Sequence, residues 1–125
     1  HCTATPEGRD IGVSEVRSWH MAKGWSDIGY HFLITLNGTV EVGRPIERIG
    51  AHCKGQNRDS IGIAYTGGVE EDGKTPKDTR TIEQKEMLRW LIDDLKKKYD
   101  FSDVEPHNKY ANKACPCFDV YSEEY

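Results

Sequence analysis

Apolar residues follow two rhythms along this 125-residue chain. Across residues 14–23 the rhythm is helical: Val13, Val16 and His20 share a face, and Gly24 stands where a helix end takes a left-handed residue. From residue 30 to 36 the period drops to two, with Phe32, Ile34 and Leu36 alternating with His31, Leu33 and Thr35. Asn37-Gly38 is the strongest short hairpin signal, so residues 39–42 are predicted to return as the partner strand. Residues 60–66 form a nearly continuous apolar run and predict a central strand buried on both faces. The best helix covers residues 81–99. Thr81 and Gln84 match a capping box, and Leu88, Leu91, Ile92, Leu95 and Tyr99 form one apolar stripe that reads as core. Residues 1–5 read as the end of a strand, residues 45–55 as irregular, and residues 70–80 as a polar, charged excursion. Strands interleaved with helices predict an α/β fold: one domain over residues 1–125, with a central mixed β-sheet flanked by helices.

Composition narrows the classes. With 30% charged and 36% apolar residues the chain is an ordinary globular sequence, long enough for one core without disulfide staples. Net charge is −4, and the one basic cluster, Lys96-Lys97-Lys98, falls at a helix end where it meets the negative end of the dipole. That leaves no electrostatic footprint for a nucleic acid. No apolar run approaches the roughly 18 residues of a membrane span, so no membrane partner is expected, and the sequence carries no signal-peptide pattern. Cys2, Cys53, Cys115 and Cys117 allow three disulfide pairings that sequence cannot choose among. One proline separates Cys115 from Cys117, a poor geometry for bridging them, and the expectation is reduced cysteines and an intracellular origin.

The candidate chemistry lies in residues 105–119. His107 and Cys115 are eight residues apart with Lys113 two before the cysteine, and Pro106, Asn108, Asn112 and Pro116 make the stretch an ordered loop. A thiolate with an imidazole suits zinc, and a site of three protein ligands keeps a position open for water. The third ligand must come from elsewhere, and His1 is the candidate. Taken singly, Cys115 reads equally as a small buried hydrophobe and His107 as a surface residue.

Several ordered blocks alter that balance: His1-Cys-Thr-Ala-Thr; Trp19-His20 with the run from Gly24 to Phe32; Asn37-Gly-Thr-Val-Glu41; Gly50-Ala-His-Cys-Lys-Gly55 with Asn57; Ser60-Ile-Gly-Ile63; and the run from Lys113 to Asp119. In these blocks the chain resembles the zinc-dependent N-acetylmuramoyl-L-alanine amidases of phage type and, more distantly, the peptidoglycan-recognition proteins. The resemblance implies one zinc ion in a surface groove, held by His1, His107 and Cys115. It implies catalytic roles for Tyr30, beside the reacting water, and Lys113, near the developing oxyanion. The substrate would be the amide joining N-acetylmuramic acid to L-alanine in peptidoglycan. His52 and Asn57 are candidate substrate-binding residues in a loop bordering the groove, with a structural role for each left open; Asn57 could pin that loop through backbone hydrogen bonds. His31 reads as structural or as a support behind the ligands, His20 as core-facing or hydrogen-bonded and not a ligand, and Asp119 either orients a ligand or caps the next turn. A monomer is expected, made in the cytoplasm and acting on the cell wall. The alternative is a non-catalytic peptidoglycan-binding module, a branch in which the cysteine ligand is commonly replaced; here Cys115 is present.

Overall fold

The computed structural model describes residues 1–101 and 103–125. Its elements are β1 (Thr5–Pro6), α1 (Val13–Ala22), β2 (Phe32–Ile34), β3 (Val40–Val42), β4 (Ile63–Tyr65), β5 (Gly68–Val69) and α2 (Ile82–Lys98). β2 lies between antiparallel β3 and parallel β4, giving the mixed sheet expected. The first residues of the chain extend it. Tyr65 N donates to His1 O at 3.1 Å and Thr3 N to Tyr65 O at 3.0 Å, and β1 then pairs with β5 in parallel. β4 is therefore flanked on both sides, which accounts for the complete burial of Ala64 and the near-complete burial of Tyr65.

The regular strands are shorter than the apolar runs that predict them. At the start of the β2–β4 ladder His31 N and Phe32 N both donate to Gly62 O, and Gly62 N donates to the His31 ring, so regular pairing begins only at residues 32 and 63. The hairpin turns as predicted: Thr35 N donates to Thr39 O and Gly38 N to Thr35 O, both at 2.9 Å, with Gly38 at φ +84°.

Alternation in the sheet sorts residues onto two helices. Leu33 and Ala64 pack with Val13, Val16, Ile11 and Ile28 on the α1 side. Ile34 and Tyr65 pack with Leu88, Leu91, Ile92 and Leu95 on the α2 side. α2 begins with the predicted capping box, Thr81 Oγ1 accepting from Gln84 N and Gln84 Oε1 from Thr81 N. Gln84 has no exposed surface; its Nε2 donates to Ile34 O and Thr66 O, so it ties the helix start to two strands. Tyr99 departs from the expected stripe. It is the extended residue that ends α2, and 43% of it is exposed, so the core face stops at Leu95. The charged excursion also departs at its end: Arg80 is buried, paired with Asp78 and Glu123, its guanidinium 3.4 Å above the Phe118 ring. Among the described residues no helix is long and apolar enough to cross a membrane.

Candidate metal centre

Three segments far apart in sequence bring together the residues expected as ligands. His1 is held by strand pairing, its nitrogen donating to Ile63 O at 2.8 Å. His107 opens the short 3-10 turn His107–Lys109 after Pro106. Cys115 lies in the loop that follows, fixed through Pro116 O, which accepts from the buried Tyr65 hydroxyl at 2.6 Å. One donor atom from each of His1, His107 and Cys115 lies within 4.8 Å of the others. Cys115 Sγ is 3.8 Å from His1 Nδ1, and the His1 and His107 rings are 4.5 Å apart between centres. Tetrahedral zinc with N and S ligands at about 2.0–2.3 Å needs donor separations close to these.

A hydrogen-bond chain behind His1 determines which nitrogen faces that point. The Ser60 hydroxyl donates to Gln56 O at 2.6 Å, leaving its oxygen to accept from His52 Nε2 at 3.1 Å. His52 Nδ1 is then the bare nitrogen and accepts from His1 Nε2 at 2.8 Å, which leaves the lone pair of His1 on Nδ1, towards Cys115. Burial pushes His52 down to about 4, so it is neutral at pH 7, as an accepting Nδ1 requires. Asn57 holds this loop: its Oδ1 accepts from His52 N at 2.9 Å and Cys53 N at 2.8 Å. The His52 ring packs so closely on Gly62 that a Cβ there would lie 2.6 Å from it. Asn57 thus has its acceptor engaged in the loop, and His52 has both ring nitrogens engaged.

The Cys115 thiol is lowered to about 5, chiefly by interaction with the Cys2 thiol, against the opposing effect of burial. The Cys2 amide donates to Cys115 Sγ at 3.2 Å, adding to the preference for the thiolate that binds metal. Tyr30 is half-buried with its ring 5.2 Å from that of His1. Burial, then the Cys115 and Cys2 thiols, hold its phenol well above the usual range, so at neutral pH it is a donor. Lys113 is exposed, two residues before Cys115, its amide bonded to Ala111 O at 2.9 Å.

The other candidates lie apart from the three ligands. His31 is buried, with Nδ1 accepting from Gly62 N and Nε2 on Arg48 O. His20 accepts from Gly29 N at 2.8 Å. Asp119 takes the second of its two readings and caps the turn Val120–Ser122 by accepting from Tyr121 N. Ser60 and Gln56, which complete the chain to His1, were not singled out from sequence as site residues. Their only signal was that Ser60 opens one of the matching blocks.

Fold and donors together define an α/β domain carrying two histidines and one cysteine placed so that they could hold a metal ion. The family described as N-acetylmuramoyl-L-alanine amidase matches residues 1–118. The endolysin of Escherichia phage T7 is 43% identical over 120 residues, covering 96% of this chain and 79% of that protein. Among solved structures, the N-acetylmuramoyl-L-alanine amidase LysC from Clostridium intestinale superimposes with a TM-score of 0.76 at 32% identity, over 88% of this chain and 70% of that one. The Apis mellifera protein PGRP-SA does so with a TM-score of 0.80 at 27% identity, over 98% and 76%. The chain belongs to the N-acetylmuramoyl-L-alanine amidase family, and it is an amidase of peptidoglycan.

Proposed function

We propose that this chain hydrolyses the amide between N-acetylmuramic acid and L-alanine with one zinc ion held by His1, His107 and Cys115. The observation that carries the reading is the convergence of those donors within 4.8 Å. Their chemistry fits zinc, since two imidazoles and a thiolate suit a borderline-soft ion and a set of three leaves one position open. Bound in such a site, zinc supplies Lewis-acid polarisation and a strong nucleophile at neutral pH.

The chain's own residues supply the rest. His52, oriented by Ser60, keeps the His1 lone pair on Nδ1. Tyr30, protonated at neutral pH, orients the attacking water by hydrogen bond. The ammonium of Lys113 stabilises the charge growing on the scissile carbonyl oxygen. A cavity of about 590 Å³, whose lining includes His1, His52 and His107, receives the glycan-peptide junction. His52 borders the bound substrate, and Asn57 acts there through the loop it pins. Residues 1–125 act as one catalytic domain, as a monomer, without nucleic-acid or membrane partners, made in the cytoplasm and acting on the wall. Elemental analysis after zinc loading tests the metal assignment: one zinc per chain is expected, lost in His1→Ala, His107→Ala and Cys115→Ser. Stoichiometric zinc in all three variants would refute it.

A further inference from the structure

Two thiols beside the three candidate ligands are not among them. Cys2 and Cys117 flank the ligands His1 and Cys115 in sequence, and their Sγ atoms lie 3.9 Å apart. The Cys2 side chain is buried and packs on Gly68, where an added Cβ would lie 2.5 Å from the sulfur. Cys117 is half-buried and holds φ +68°, a left-handed conformation that side chains other than glycine rarely adopt. Its amide bonds Ala114 O at 2.8 Å, closing the turn that aims its side chain at Cys2. The pair joins the two ends of the metal site across almost the whole chain, where a covalent link constrains the unfolded state most.

We propose that Cys2 and Cys117 are a disulfide site that locks the His1 strand to the Cys115 loop while leaving the metal ligands free. The chemistry is thiol–disulfide exchange with a small-molecule disulfide. Cys117, the more accessible sulfur, attacks first and releases one small thiol; the Cys2 sulfur then displaces the second from Cys117. The two protein thiols lose two electrons and two protons, and one disulfide is reduced to two thiols. The proposal rests on the function above for one point: a wall amidase works outside the cytoplasmic membrane, where disulfides persist.

The test is incubation of the zinc-loaded full chain with glutathione disulfide, followed by thiol counting, peptide mass mapping and zinc analysis. The expected result is loss of two of the four thiols, a Cys2–Cys117 cross-linked peptide, retained zinc, and a raised melting temperature that dithiothreitol reverses. Cys117→Ser should abolish the cross-link and Cys53→Ser should leave it intact. Four unchanged thiols, a Cys2–Cys115 link, or release of zinc on oxidation would each overturn the proposal. The readouts do not use turnover: failure of the amidase reading would appear as absent amine release with the cross-link still formed.

Discussion

His1 Nε2 sits 2.8 Å from His52 Nδ1, and the Ser60 hydroxyl behind His52 determines which of the two carries the proton. The nitrogen of His1 that is left bare, the one towards Cys115, is thus selected by residues outside the His1–His107–Cys115 cluster. Losing such a supporting partner typically costs about 10–100-fold in metal affinity. His52→Ala is expected to weaken zinc binding by that order in a chelator competition, with Ser60→Ala weaker in the same direction. Unchanged affinity in His52→Ala would show that the ring orients nothing.

Cys115→Ser is expected to abolish zinc retention and turnover while the far-ultraviolet dichroism stays native. The cores on both faces of the sheet are built from residues such as Leu33, Ile34, Leu91 and Leu95, which need no metal. Full activity in this variant would remove Cys115 from the mechanism.

Lys113→Ala should retain zinc and lose about 10²–10³ in kcat, the usual cost of one oxyanion stabiliser. Tyr30→Phe should also slow turnover. Because the Tyr30 phenol is held above its usual range, the wild-type rate should show no ionisation of it near neutral pH. A wild-type kcat in Lys113→Ala would exclude the lysine.

Gln84 makes a stability prediction away from the site. Gln84→Leu keeps the volume but leaves Thr66 O and Thr81 N without their partner, while Ile34 O keeps the bond from Thr66 N. Each orphaned buried group costs about 1–3 kcal/mol, so a loss on the order of 3 kcal/mol is expected in denaturant unfolding. A change within experimental scatter would mean that water or backbone relaxation replaces those bonds.

Acid should weaken the fold through His20. Burial, with Lys23 and Arg44 nearby, holds this imidazole below its usual range. As pH falls through about 6.5 the unfolded chain takes up a proton that the folded chain refuses; stability is full above that value and declines below it. His20→Asn keeps an acceptor for Gly29 N without a titrating ring. Its stability should fall less steeply between about pH 7 and pH 5 than that of the wild type; an identical slope would assign the loss to other groups.

Much of the fold was legible because its signals are local. Thr81 and Gln84 cap α2 within one turn, and Asn37-Gly38 turns the hairpin by its own backbone preference. The stripe extends to Tyr99 in the sequence because the apolar period continues where the backbone has already left the helix. The buried pairing of Arg80 could not be seen in a charged stretch, since Phe118 and Glu123 come from the far end of the chain. In the site the ligand candidates were legible as a pattern of residue types. The chain from Gln56 through Ser60 and His52 to His1 was not, since it exists only once strand pairing has carried His1 across 51 positions to His52.

The most direct test of the central claim is amine release from purified peptidoglycan, measured beside reducing-sugar release, after a chelator and again after zinc is restored. New L-alanine amino termini without new reducing ends, lost with the chelator and recovered with zinc, are the predicted result. Amine release that survives complete removal of the metal would contradict the account.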